Sequence, residues 1–233
     1  MATDSTVRVD EDWLRSLRRE FHRRPEPAWR EFWTTARVVE ELDSLGVDAG
    51  LVGPEILAHG ERSAPPDPDE LAAWHEQARE AGADPTLLER MEGGYTGALA
   101  TVERGEGPTV ALRVDIDGLP RAESESEGHH PAQAGFRSVH EGAMHACGHD
   151  AHATIGLGVL QAVLDSDFGG TFKLLFQPSE EMIAGGKPIA ESGLLDDVDT
   201  LLAVHVGLDH PTGEVVAGVD GFLAVTHLDA EFA

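Results

Sequence analysis

Cysteine, lysine and basic charge are scarce in this sequence of 233 residues. A single cysteine, Cys147, excludes an internal disulfide. Lysine occurs only at positions 173 and 187. Seventeen basic residues face 43 acidic ones, leaving a net charge of -26. Binding a phosphate backbone needs clustered Lys and Arg, so this balance argues against a nucleic-acid partner. It argues equally against an anionic membrane surface. No run of about 18 apolar residues occurs, so no membrane-spanning helix is expected. The N-terminal stretch MATDSTVRVDEDW is polar and lacks the apolar core of a signal peptide, which makes the cytoplasm the default expectation.

What is plentiful is acid. An acid-rich, lysine-poor globular chain suits high salt, where counterions screen self-repulsion. Halophily is therefore an expectation. The 41% hydrophobic content is that of a globular chain, long enough for one large domain or two small ones.

Periodicity predicts a helix over Asp10–His22, with Asp10 as N-cap and Trp13, Leu14, Leu17 and Phe21 on one face. Pro25 and Pro27 end it. A second helix is predicted from about Arg30 to Leu45, closed by Gly46. Residues 54–92 have a different character: a proline-rich turn and then two short helices broken between Gly82 and Pro85, expected to be a helical insert on a catalytic domain. Strands follow at 96–102 and 109–115, separated by a hairpin-like break, and residues 121–142 read as a loop. A helix begins near His149, and residues 171–177 form a buried strand. A short helix over Lys187–Ser192 precedes two further strands at 200–206, taken as buried, and 213–218. A last strand is expected from 222 to 232. Strands alternating with helices imply an α/β sandwich. Ending on an apolar strand with no closing element leads us to expect an incomplete domain.

Four clusters carry candidate chemistry, each at the end of a predicted strand, where open α/β sheets place their ligands. Asp115 and Asp117 lie two apart after a β-rich run; they are either site carboxylates or loop carboxylates making turn hydrogen bonds. His145, Cys147, His149, Asp150 and His152 fall within eight positions. Cys147 and His149, hinged by Gly148, can turn two donors onto one ion, and a thiolate is a strong ligand for zinc. Asp150 and His152 are placed to support those ligands from behind. Glu180 and Glu181 follow a buried strand, where adjacent carboxylates need a compensating charge. One would bind metal while its neighbour acts as general base. His205 interrupts an apolar strand and is either a core histidine or a further nitrogen donor.

The segments ALRVDIDGLP, MHACGHDAHATIGLG, LLFQPSEE and AVHVGLDHPTGEVVAG occur in an order that resembles the zinc/manganese aminoacylase–carboxypeptidase superfamily. The resemblance is strongest to the branch of hippurate hydrolases and indole-acetyl-amino-acid amidohydrolases. Within it, LRREFHRRPEPAWREFWT, AGADPTLLERMEGGYTGALAT and PTVALRVDIDGL are similar to aminobenzoyl-glutamate hydrolases. The resemblance implies a three-layer α/β sandwich on a mostly parallel sheet. It implies two divalent metal ions, Mn2+ or Zn2+, on Cys147, His149, Glu181 and His205, with Glu180 as general base. It gives Asp115 and Asp117 supporting roles. The implied reaction is hydrolysis of the amide bond of an N-acyl amino acid such as p-aminobenzoyl-glutamate. Relatives also have a lid and dimerisation domain and one more ligand histidine; these 233 residues contain neither. The implied full-length protein is a homo- or hetero-oligomer. Two alternatives stand beside this reading: a cysteine-nucleophile amidase built on Cys147, and a truncated metal-binding or partner protein without turnover.

Overall fold

The computed structural model describes residues 9–48, 50–58, 62–207 and 210–218. Helix α1 (Glu11–Arg23) starts as expected: Asp10 accepts the backbone N–H groups of Asp12 and Trp13. Its Leu17 and Phe21 are buried. Helix α2 (Phe32–Ser44) begins two residues later than predicted. Its first turn takes its cap from outside the helix, because the side chain of Glu26 accepts the N–H groups of Trp33 (2.9 Å) and Thr34 (2.8 Å). A two-residue strand, β1 (Leu51–Val52), and a 3-10 turn (Gly53–Ile56) follow; neither was expected. Helices α3 (Pro68–Glu80) and α4 (Pro85–Arg90) are both opened by a proline behind an aspartate cap. Leu71 and Leu88 bury their apolar sides in the same core as α2.

Four further strands and the main helix complete the sheet layer. Strands β2 (Ala98–Glu103) and β3 (Thr109–Asp115) form where alternation predicts them. A one-turn helix, α5 (His130–Gln133), lies in the stretch read as loop. Helix α6 (His149–Asp165) leads into β4 (Thr171–Gln177). Helix α7 (Gly186–Ala190) precedes β5 (Thr200–Ala203). The strand order is β1-β2-β4-β3-β5. Strand β3 is parallel to β4 and to β5, whereas β2 is antiparallel to β1 and to β4.

One expectation about pairing needs correction. The sheet is mixed, with β1, β3, β4 and β5 running the same way and β2 opposed to them, but β2 and β3 are no hairpin because β4 lies between them. Long-range contacts of Arg104 accompany this order. Its side chain donates to the carbonyls of Leu164 (2.7 Å) and Ser166 (2.9 Å) at the end of α6, and its N–H donates to Gly170 O (2.8 Å). The turn entering β4 is thereby held against the β2–β3 connection.

Side chains alternate across the sheet, which makes three layers. Phe172, Leu174 and Phe176 pack with α1, α2 and α6, while Leu99 and Leu175 face Trp29, Ile56, Ala184 and Ile189 on the other side. The predicted buried strand at 200–206 is instead an edge: Leu201 and Leu202 are each 53% exposed. An apolar run is buried only if elements cover it, and β5 pairs with β3 alone. No strand forms at 213–218 among the described residues, where Val215 is 87% exposed. The strand expected at 222–232 lies outside the described residues. No helix among the described residues is long and apolar enough to cross a membrane.

Candidate metal centre

The parallel strands β3, β4 and β5 end at the same edge of the sheet, and the start of α6 points at it. That is the crevice where such sheets gather reactive groups. Strand β3 delivers Asp115 and, two residues on, Asp117; β4 delivers Glu180 and Glu181; β5 delivers His205. Gly148 sits between Cys147 and His149 with φ +88°, as the N-cap of α6. A Cβ there would lie 2.6 Å from a methyl of Val206, so glycine is needed both for the turn and for the approach of the β5 extension.

These elements bring all five expected first contacts together. Donor atoms of Cys147, His149 and His205 lie within 4.8 Å of one another, as do those of His149, Glu180 and Glu181. Cys147 Sγ is 3.4 Å from His205 Nε2. His149 Nε2 is 3.7 Å from Glu180 Oε2 and 3.7 Å from Glu181 Oε1. His149 is therefore common to both donor sets, and to a third with Asp115 and His152. Its Nε2 and Glu181 Oε1 are buried without a hydrogen-bond partner. Buried polar atoms are as a rule paired, so two orphans 3.7 Å apart fit a cation between them.

The electrostatics agree. Burial opposes protonation of His149, but the hydrogen bond to Asp117 and the charges of Asp115, Asp117 and Glu181 prevail and raise its pKa to about 9. Burial, Asp117 and Glu180 push Glu181 up despite the pull of His149. Burial and the carboxylates of Glu181, Glu180 and Asp115 push the Cys147 thiol up to about 11. The cluster demands positive charge, and a thiolate forms there only against a cation. A free Cys147 nucleophile finds no support in this field.

The supporting carboxylates are fully buried struts. Asp117 Oδ1 accepts from His149 Nδ1 (3.2 Å) and from the N–H of Glu180 (3.1 Å), and Oδ2 accepts from the N–H of Glu181 (2.9 Å). This leaves Nε2 of His149 facing the donors. His152 accepts the N–H of Val206 on Nε2 (2.9 Å), so its Nδ1 carries the proton it donates to Asp115 (2.5 Å). It thus joins β3 to the segment bearing His205. Asp150, expected behind the ligands, turns the other way. It accepts from His22 Nδ1 (2.8 Å) and Arg18 Nε (2.8 Å), and so ties the start of α6 to α1. Burial pushes His145 down to about 4, and neither of its ring nitrogens has a partner.

Sequence reasoning missed three buried carboxylates around the centre. Glu123 accepts from His22 (2.9 Å) and His129 (2.7 Å). Glu26 caps α2, and its carbonyl accepts the N–H of Gly118 (2.7 Å). Glu31 accepts the N–H of Ser179 (2.8 Å). A charged residue amid tryptophan and phenylalanine, as in PAWREFW, was the one available signal.

Residues 111–230 match the family described as Peptidase family M20/M25/M40. The chain is 43% identical over 222 residues to a p-aminobenzoyl-glutamate hydrolase subunit of Escherichia coli, covering 94% of this chain and 51% of that protein. It is 44% identical over 220 residues to indole-3-acetyl-aspartic acid hydrolase of Enterobacter agglomerans, covering 92% and 50%. The chain therefore spans about half the length of the curated relatives it matches. Among solved structures, the aminobenzoyl-glutamate utilization protein of Klebsiella pneumoniae superposes with a TM-score of 0.65 at 35% identity, over 84% of this chain and 46% of that one. A dinuclear metal binding M20 peptidase of Bacillus subtilis superposes with a TM-score of 0.61 at 25% identity, over 86% and 44%.

Proposed function

The chain belongs to peptidase family M20/M25/M40, and from that premise we propose that its centre serves hydrolysis of the amide bond of N-acyl amino acids with two divalent metal ions. The observation that carries this is that His149, with its Nε2 unpartnered, is common to the Cys147–His205 and the Glu180–Glu181 donor groups. Cys147, His149, Glu181 and His205 would hold the ions. A thiolate suits zinc and carboxylates suit manganese, so this donor set fits Zn2+ or Mn2+. When bound, such ions acidify water and polarise a scissile carbonyl. The chain's own contribution is positional and protonic. Glu180 has the most open carboxylate of the cluster, with a side chain 36% exposed. It takes a proton from the attacking water and returns it to the nitrogen of the leaving amine. Asp117 fixes the tautomer of His149 and the backbone of both glutamates. Asp115, through His152, steadies the segment that carries His205.

The names of the relatives support p-aminobenzoyl-glutamate as the substrate. One relative is by name part of a multi-chain hydrolase, which supports an oligomer in the longer protein. A cytoplasmic, high-salt setting completes the proposal. The test is release of p-aminobenzoate from p-aminobenzoyl-glutamate by this chain in molar salt with added Mn2+. Manganese-dependent release is expected, and Glu180→Gln should lower it by about 10²–10⁴-fold with metal content unchanged. A folded, metal-loaded chain that releases nothing would overturn turnover by this chain alone and leave the metal-binding partner reading.

A further inference from the structure

The loop that carries Glu180 and Glu181 has a backbone that its own residues do not explain. Ser179 has φ +54°, in the left-handed region that non-glycine residues seldom enter. Its hydroxyl is buried and unpartnered, so its side chain does nothing to compensate. What holds Ser179 comes from 148 residues away. Its N–H donates to Glu31 Oε1 (2.8 Å), and the next two N–H groups donate to Asp117 (3.1 and 2.9 Å). Two buried carboxylates thus gather three consecutive amides. The other oxygen of Glu31 accepts the hydroxyl of Thr96 (2.6 Å), and Glu31 is 0% exposed. Beyond the strained residue the chain folds back tightly. Ala184 and Gly185 both donate to Ser179 O (3.0 Å each), and a Cβ on Gly185 would meet Pro178 O at 1.8 Å. The same N-terminal strap reaches the other site loop, since Glu26 O accepts from Gly118, next to Asp117.

We propose that Glu31 is a positioning residue, holding Ser179 in its left-handed conformation and so aiming Glu180 and Glu181 at His149. This rests on the metal-centre reading of Glu180 and Glu181. An acceptor is the required feature, because the bond is to a backbone N–H. Glu31→Gln keeps an acceptor for it, and Glu31→Leu removes it at similar volume. Ser179→Gly removes the need for it, because glycine enters the left-handed region freely.

The experiment has two readouts on the full chain. One is amide hydrogen exchange at residues 179–181, which needs no metal. The other is calorimetric titration with Co2+. Glu31→Leu should speed exchange at 179–181 by tenfold or more and weaken Co2+ binding about 10–100-fold, the range for losing an outer support of a metal ligand. Glu31→Gln should retain most of the affinity. Adding Ser179→Gly to Glu31→Leu should restore part of it. Unchanged exchange, or faster exchange with unchanged Co2+ affinity, would overturn the proposal. Equal loss in Glu31→Gln and Glu31→Leu would also overturn it, by showing that the acceptor is not what matters. If Glu31→Leu does not fold, Thr96→Val takes its place and should move both readouts the same way by less; no movement would count against the idea. A wild-type chain that binds no Co2+ while 179–181 are protected would overturn the metal centre itself, and is distinguishable from loss of the clamp.

Discussion

Replacing Glu26 by Gln should change how the stability of this protein depends on pH. Glu26 is 1% exposed. The backbone N–H groups of Trp33 and Thr34 favour its charged form, but burial outweighs them and raises its pKa from 4.5 to about 8. Between those two values the folded chain holds a proton that the unfolded chain has lost. The stabilisation is therefore complete below the unfolded pKa and drains away as pH rises through the folded one. About 3.5 units of separation, at 1.36 kcal/mol each, gives a ceiling of about 5 kcal/mol. Glutamine stays neutral and lacks this dependence. It keeps one acceptor oxygen where the carboxyl has two, so it loses one hydrogen bond, worth about 1 kcal/mol. Glu26→Gln should then be about 1 kcal/mol less stable than wild type near pH 4, below the unfolded pKa. By pH 9 it should be more stable by up to about 4 kcal/mol. Urea unfolding at fixed molar salt from pH 4 to 9 reads this directly. Burial and Asp117 raise Glu31 in the same direction, but that term is common to both proteins and cancels in the difference. Parallel stability curves for the two proteins would refute the argument, and with it the claim that a neutral Glu26 caps α2.

Asp117→Asn should weaken divalent-metal affinity by about 10–100-fold, because one amide oxygen cannot replace two carboxylate oxygens that serve His149 and two backbone amides; a competition titration with a chromophoric chelator would show it, and unchanged affinity would remove Asp117 from the centre. Raising NaCl from 0.1 M to 2 M should raise the thermal midpoint, because 43 acidic residues oppose only 17 basic ones at low screening; a flat or falling midpoint would end the halophilic reading.

Much of the site was legible because its chemistry is local. Cys147, Gly148 and His149 are adjacent, and a hinge between two donors needs only those three positions. The paired carboxylates at 115 and 117 and at 180 and 181 each follow a run whose apolar pattern marks a strand end. Helix α1 announced itself through its aspartate cap, and α3 and α4 through the prolines that open them. The exposed edge at Leu201 and Leu202 was misread for a general reason: an apolar run states what a segment can bury, and its neighbours decide whether it does.

The sequence by itself determined most of the element types, the candidate donor positions and, through four ordered motifs, the family. Each of these depends on interactions within a few residues, and periodicity records them. Only the tertiary structure decided the placement of β4 between β2 and β3, the sharing of His149 among donor sets, the turning of Asp150 toward α1 and the reach of Glu31 to Ser179. Ladders and buried hydrogen bonds join segments tens to more than a hundred residues apart. Which partner a buried carboxylate finds is set by the packing that excludes water around it, and no local pattern encodes that.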